Sequence, residues 1–197
     1  MLAFSEACER NKEPILQCLT LAFARSRHVL EIGSGTGQHA VHFAAHLQHL
    51  RWCPSERREH LQDLEARLKQ AGLANLDPAC ELDVNQDNWP GPVDAIFTAN
   101  TLHIMSWPEV IRTFAGIGRA LALGGTLCIY GPFRYGGAFT SESNGFFDAS
   151  LRQRDPKSGI RDIEAVQELA LAQQLALTRD HDLPANNRLL VFSKGKS

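Results

Sequence analysis

Short β-rich apolar runs alternate along the chain with stretches in which apolar residues recur every three or four positions. The apolar runs predict strands at 28–32, 50–53, 93–100, 126–130, 175–179 and 188–192, and a weaker third strand that ends at 82–84. The periodic stretches predict one or two helices within 5–24, and further helices at 38–50, 56–71, 107–121 and 160–174. Because strands that alternate with helices form a mostly parallel sheet, this order predicts an α/β fold with helices on both faces of the sheet.

Turn-forming residues mark the ends of several of these elements. Gly33 stops the first strand, and the glycine pair at 124–125 is expected to end the helix at 107–121. The last two strands, joined through 184–187, are expected to pair as an antiparallel hairpin. The segment 131–159 has glycines and aromatics without a clear period, and we predict a long functional loop there.

The length and the charge balance are those of an ordinary globular protein. With 197 residues, 44% hydrophobic and 21% charged, the chain is expected to form a single domain over 1–197. Lys and Arg number 20 against 22 Asp and Glu, for a net charge of -2. The composition therefore offers no support for nucleic acid as a partner.

Composition also bears on the cellular compartment. No uncharged apolar run approaches the ~18 residues of a membrane span, and the first six residues carry an acid where a signal peptide has bases. The five cysteines are odd in number and scattered, which favours neither a disulfide framework nor a cysteine zinc site. We expect a cytoplasmic protein without a membrane span, whose thiols are reduced and mostly buried.

A glycine-rich turn, Glu-Ile-Gly-Ser-Gly-Thr-Gly-Gln at 31–38, follows the first strand and lets a ligand approach the backbone. A dinucleotide fingerprint needs glycine at position 38, which is Gln, and the Gly-Lys-Ser/Thr of a Walker loop is absent. Glu31 beside the turn, with no nearby Lys or Arg, disfavours a pyrophosphate and favours a cation. S-adenosylmethionine, with its sulfonium and amino groups, is such a cation.

The segment 29–37, Val-Leu-Glu-Ile-Gly-Ser-Gly-Thr-Gly, resembles the first motif of class I S-adenosylmethionine-dependent methyltransferases. A narrower resemblance, over nearly the whole chain, is to an uncharacterised methyltransferase-like family, a domain of unknown function found in bacteria and animals. Its matching stretches are 9–12, 14–16, 37–40, 89–90, 99–100, 103–107, 130–132, 143–144, 147–148, 151–154, 159–162 and 184–187. The resemblance implies a Rossmann-like fold with a seven-stranded twisted sheet, one antiparallel strand near the C-terminus and an N-terminal helical cap.

The resemblance also assigns cofactor-binding residues. The loop residues that it assigns to S-adenosylmethionine are Glu31, Gly33, Ser34, Gly35, Thr36 and Gly37. Glu56 matches the acid that holds the ribose hydroxyls, although aspartate is more usual there in this family. Asp83 and Val84 match the pair that meets adenine, with a helix cap or Asx turn as the alternative role of Asp83. Asn100 ends the fourth strand, where cofactor and substrate meet.

Catalysis of methyl transfer depends chiefly on holding the acceptor in line with the methyl group, so no acid or base is obligatory. The candidate catalytic residues are His103, Asn100 and Asp148. His103 is the best candidate base because its reference pKa is ~6.5, and the alternative is that it orders the turn before Trp107. The candidate substrate-binding residues are Arg10, Asn11, Tyr130, Phe133, Tyr135 and Asn144, of which the aromatic ones equally suit a local core.

Histidines at positions 39, 42, 46 and 49 fall on one stripe of the helix predicted at 38–50. Four ligands strung along one helix cannot surround a single zinc ion, so no metal site is expected. The sequence as a whole favours a methyltransferase that acts on a small polar or partly aromatic acceptor and produces S-adenosylhomocysteine. Two alternatives stay open: a non-catalytic protein that binds these sulfur nucleotides as a sensor or partner subunit, and a nicotinamide oxidoreductase. The sequence specifies neither the acceptor atom nor the oligomeric state.

Overall fold

A computed structural model describes residues 4–195, which form one large sheet with helices packed on both of its faces. The helices are α1 Glu6–Ala22, α2 Gln38–His46, α3 Leu61–Ala71, α4 Trp107–Ala120, α5 Glu142–Arg154 and α6 Ile163–Leu171. The strands are β1 His28–Ile32, β2 Arg51–Glu56, β3 Cys80–Glu81, β4 Val93–Ala99, β5 Leu121–Gly131, β6 Phe133–Tyr135, β7 Ala138–Phe139, β8 Arg161–Asp162, β9 Leu175–Leu183 and β10 Asn187–Lys194.

The large sheet has seven strands in the order β3-β2-β1-β4-β5-β10-β9. All neighbouring pairs are parallel except those of β10, which is antiparallel to both β5 and β9. The predicted architecture, a mostly parallel sheet with one antiparallel strand near the C-terminus, is confirmed. A second, three-stranded sheet in the order β7-β6-β8 lies in the segment after β5.

The core has two layers because successive side chains of a strand point to opposite faces of the sheet. Val29 and Phe97 belong to the layer that also contains the buried residues of α1, α2 and α3. Their chain neighbours Leu30 and Ile96 belong to the other layer, with the buried residues of α4 and α6. The central strands are buried on both faces, so they read as continuous apolar runs in the sequence.

The prediction of a long loop at 131–159 is wrong. This segment contains β6, β7 and the 13-residue helix α5. The helix shows no apolar stripe because it buries Asn144, Asp148 and Leu151 while Phe146 stays 69% exposed. Buried polar residues removed the periodic signal by which a helix is recognised.

The glycine pair at 124–125 does not end a helix. The helix α4 begins at a capping box in which Ser106 and Glu109 bond to each other's backbone N–H, and it ends at Ala120. The glycines lie inside β5, beside an irregularity in its pairing with β4. Strand β2 also extends beyond its predicted end, to Glu56, because it pairs with β1 as far as Ser55 and with β3 at Ser55 and Glu56.

None of the helices described for residues 4–195 is long and apolar enough to cross a membrane. Residues 1–3, part of the segment considered for a signal peptide, lie outside the described residues. The five cysteines have free thiols, and Cys128 is fully buried while the others are half-buried.

Candidate active site

A cleft with a volume of about 1080 Å³ opens at the carboxyl ends of β1, β2 and β4. Its walls are the loops that follow these strands, the first half of α1, part of α5 and the turn between β9 and β10. Ligands of parallel sheets bind at this edge. The cleft lies at the upper end of the ~300–1,000 Å³ range of small-molecule pockets.

The glycine loop between β1 and α2 forms one wall of the cleft. Gly35 has a φ of +53°, and a Cβ added there would have no atom within 4 Å, so its backbone is open to the cleft. A Cβ on Gly37 would lie 2.7 Å from Leu64 Cδ1. Gly37 does not line the cleft, and the space that its missing Cβ leaves is taken by side chains of α3.

Glu56 lies at the end of β2 and faces the glycine loop. Its Oε2 accepts a hydrogen bond from the Gly35 N–H at 2.8 Å, and its Oε1 accepts one from the Arg57 N–H at 2.9 Å. Ser34, Gly35, Thr36 and Glu56 all line the cleft, together with Gly33. The structure therefore brings the loop and this acid together as one surface.

Glu31, which the resemblance assigns to the cofactor, does not line the cleft. Its side chain is 2% exposed, and its Oε2 accepts a hydrogen bond from the Trp52 indole at 2.8 Å. Burial, which is only partly offset by this bond, raises the pKa of Glu31 to about 7. Its carboxyl group therefore bonds to the side chain of a β2 residue, Trp52, within the protein interior.

Asp83 and Val84 follow β3 and line the cleft beside Glu56. The Asp83 carboxylate accepts hydrogen bonds from Asn85, at 2.9 Å from the backbone N and 3.0 Å from Nδ2. Asp83 thus makes the Asx turn that was the alternative interpretation, and it does so at the rim of the cleft.

Another wall of the cleft is formed by the loop after β4. Asn100, with a φ of +59°, and His103, 6% exposed, both line it. The ring of Phe147 on α5 lies edge-on to the ring of His103, with 5.3 Å between centroids. Burial, with the nearby charges of Arg161 and Arg154, lowers the pKa of His103 to about 4, so this imidazole is neutral at pH 7.

The helix α1 covers the cleft from above. Arg10 and Asn11 line it, and Arg10 is an exposed rim residue with a long ion pair to Glu6. The Asn11 Oδ1 lies 2.6 Å from Nε2 of His39, which also lines the cleft. Burial lowers the pKa of His39 to about 4, so it acts here as a neutral hydrogen-bonding group.

Sequence reasoning missed the support that Gln38 gives to this site through Ser5, which lines the cleft. The Gln38 Oε1 accepts a hydrogen bond from the Ser5 N–H at 2.6 Å, and its Nε2 donates to the Ser5 carbonyl at 3.2 Å. The residue that breaks the dinucleotide fingerprint therefore ties the start of α1 to the glycine loop. The one signal for Gln38 and His39 was their place in the matching stretch 37–40.

Three predicted site residues lie outside the cleft lining and make contacts within the fold. Asp148 accepts a hydrogen bond from the Ile160 N–H at 2.6 Å and pairs with Arg152 at 2.7 Å, outside the cleft lining. Phe133 is 2% exposed within the core. The Tyr135 hydroxyl donates to Asp180 at 2.7 Å, and its ring packs against the core. By contrast, Tyr130 and Asn144 do line the cleft.

The four histidines predicted on one helical stripe are engaged by other groups, and His49 lies beyond α2, which ends at His46. The ring nitrogens of His46 and His49 bond to the carbonyls of His42 and Phe23, and His42 lies 3.1 Å from Glu13. Within residues 4–195, no group of three or more His, Cys, Asp or Glu side chains is arranged to hold a metal ion.

Comparison with known proteins places the chain in a family and relates its fold to solved structures. The sequence matches the family described as "Protein of unknown function (DUF938)" over residues 2–194, and the chain belongs to that family. An O-methyltransferase family protein from Burkholderia thailandensis superposes with a TM-score of 0.84 at 14% identity, over 98% of this chain and 58% of its own.

Two further solved structures contain the cofactor or its product. Human N-acetylserotonin methyltransferase, in complex with SAM, superposes with a TM-score of 0.82 at 14% identity, over 97% of this chain and 53% of its own. PigF, with SAH, gives a TM-score of 0.79 at 19% identity, over 96% of this chain and 64% of its own. The similarity shows the class I methyltransferase fold, and the match covers 53–64% of the length of these proteins.

Proposed function

We propose that this protein transfers a methyl group from S-adenosylmethionine to a small polar or partly aromatic acceptor and releases S-adenosylhomocysteine. The observation that carries the proposal is that the Gly35 backbone, the Glu56 carboxylate and the His103 ring all line one cleft. A small molecule is the proposed partner, and the proposed location is the cytoplasm.

The half of the cleft formed by β1, β2 and β3 suits the chemistry of the cofactor. Gly35 has no side chain to cover its backbone, so a ligand can approach that backbone closely. Glu56 presents a carboxylate that can accept hydrogen bonds from the ribose hydroxyls. Asp83 and Val84 would flank the adenine. The carboxylates here attract a cation more than a pyrophosphate. When bound, S-adenosylmethionine supplies a methyl group activated by its sulfonium.

The other half of the cleft suits a neutral acceptor that carries an O–H or N–H group. His103 is neutral because of its burial, so one ring nitrogen has a lone pair that accepts a hydrogen bond from this group. The same nitrogen takes the proton as the acceptor gains its methyl group. With a pKa of about 4 the ring is a weak base, and its main contribution is to orient the acceptor. Asn100 and Phe147 form the adjoining polar and apolar walls.

Calorimetry with S-adenosylmethionine, S-adenosylhomocysteine and NAD tests the cofactor half of the proposal. We expect both sulfur nucleotides to bind and NAD not to bind, and Gly35→Arg to abolish binding. A screen of hydroxyl and amine acceptors with methyl-labelled cofactor, using His103→Gln as the control, then tests transfer. Failure of both sulfur nucleotides to bind overturns the proposal. Binding without product from any acceptor favours the non-catalytic binding protein instead.

A further inference from the structure

Residues 158–161, here called the brace, hold the loop that carries His103. Four consecutive carbonyl oxygens, those of residues 102–105, each accept a hydrogen bond from the brace. The bonds run from Arg161 Nε to Leu102 at 3.0 Å, from the Gly159 N–H to His103 at 2.9 Å, from Ser158 Oγ to Ile104 at 3.1 Å, and from Arg161 Nη2 to Met105. The brace therefore holds the backbone on both sides of His103.

Arg161 makes the first and the last of these bonds. Its Nη2 also donates to the Lys157 carbonyl at 3.0 Å, and its guanidinium lies 5.8 Å from the centroid of the Trp107 ring. A planar guanidinium with donors in a fixed fork can hold several carbonyls at once, which a lysine ammonium on a flexible stem does less well. Arg161 thus connects both ends of the 102–105 loop to one rigid group.

The brace is itself anchored on α5. Asp148 accepts the Ile160 N–H at 2.6 Å and pairs with Arg152. A Cβ on Gly159 would lie 2.5 Å from Arg152 Nη2 and 2.9 Å from Asp148 Oδ1, so only glycine fits between them. Contacts therefore run without a break from α5 through the brace to the backbone of His103.

We infer that Arg161 is a positioning residue for the proposed methyl transfer, which through the carbonyls of residues 102–105 holds the His103 ring at the acceptor end of the cleft. The inference rests on the proposed function, because the position of His103 matters for catalysis only if an acceptor meets it there. Nothing in the cofactor half depends on it, since the brace makes none of the hydrogen bonds of the glycine loop or Glu56.

The charges around His103 support this role. Arg161 from the brace and Arg154 from α5 both disfavour the imidazolium form, and burial does so more strongly than either. The nearby carboxylates are engaged elsewhere, Asp148 with Arg152 and Asp155 with the Lys157 N–H. Removal of the Arg161 charge is therefore expected to make His103 easier to protonate.

Two substitutions of Arg161 separate placement from charge. Arg161→Lys keeps the charge and loses the fork, so we expect kcat to fall about tenfold while the pKa of His103 and the affinity for S-adenosylmethionine stay unchanged. Arg161→Gln loses both, so we expect the same fall in kcat and a rise in the pKa of His103 of at least about half a pH unit. The pKa is followed by NMR of the imidazole protons in the ligand-free protein, with His103→Gln to assign the signal.

The controls keep the inference falsifiable. Arg119→Gln, at an exposed arginine on α4 that pairs with Asp87, should change neither kcat nor the pKa of His103. Ser158→Ala removes only the hydrogen bond to the Ile104 carbonyl. This variant replaces Arg161→Gln as the test if Arg161→Gln does not fold. We then expect faster amide exchange across residues 102–105. An unchanged kcat in Arg161→Lys, or unchanged exchange in Ser158→Ala, overturns the inference. The pKa of His103 and the amide exchange of residues 102–105 are both measured without ligand. They therefore report on the brace even if no methyl transfer is found.

Discussion

The carboxylate of Glu56 accepts a hydrogen bond from the backbone N–H of Gly35, with 2.8 Å between Oε2 and N. These residues belong to different strand–loop units, the end of β2 and the turn after β1. The bond holds the acid against the middle of the glycine loop, so the two present a single preformed surface to a ligand.

Replacement of Glu56 by alanine should weaken the binding of S-adenosylmethionine by about 10- to 100-fold. The reason is that hydrogen bonds to charged groups contribute about 1.5–3 kcal/mol, and the alanine leaves both the Gly35 N–H and the ribose without an acceptor. Calorimetry measures the change. Glu56→Asp, which keeps the charge on a shorter side chain, should give an intermediate affinity. An affinity of Glu56→Ala within twofold of the wild type would remove Glu56 from the site.

Substitutions at two glycines of the same loop should separate binding from stability. Gly35→Arg places its side chain in the open cleft, so we expect binding to be lost with a decrease in stability of only about 1–2 kcal/mol from the left-handed backbone. Gly37→Ala drives a methyl group into Leu64, so we expect a larger loss of stability, about 2–4 kcal/mol, with binding retained in the folded fraction. Urea denaturation and calorimetry separate the two, and equal losses of stability would contradict the assignment.

Buried Glu31 should make stability depend on pH. Its pKa is raised from 4.5 to about 7, so the folded protein holds a proton that the unfolded chain releases between these pH values. Stability is lost as the pH rises through this window, by about 1–3 kcal/mol. Glu31→Gln, which keeps an acceptor for Trp52, should lack this loss. Urea denaturation at pH 5 and pH 8 tests it, and identical pH dependence in the two proteins would exclude a protonated Glu31.

Loss of the Gln38 side chain should loosen the start of α1. Gln38→Ala removes both hydrogen bonds to Ser5, each with a net value of about 1 kcal/mol. We expect amide exchange in the first two turns of α1 to accelerate about tenfold, and the affinity for S-adenosylmethionine to fall because Ser5 and Cys8 line the cleft. Gln48→Ala, at an exposed glutamine, is the matched control. Unchanged exchange in Gln38→Ala would show that other contacts hold α1.

Much of the fold was predictable because its signals are local. The bounds of β1, 28–32, were predicted to the residue, since an apolar run between a polar flank and Gly33 is marked at both ends. The hairpin of β9 and β10 was predicted from two apolar runs around a turn. The helix α5 was not, because its buried face carries Asn144 and Asp148, whose partners lie elsewhere in the chain.

The sequence by itself determined the order of the strands of the large sheet, of the helices other than α5, and the glycine loop at the end of β1. Alternation, helical periodicity and glycine spacing act over a few neighbouring residues, so they can be recognised without the fold. Only the tertiary structure decided which polar side chains face the cleft. Glu31 turned toward Trp52, 21 positions away, and Asp148 turned to Ile160. Such hydrogen bonds join residues that packing alone brings together, and a buried polar group needs a partner wherever the fold provides one.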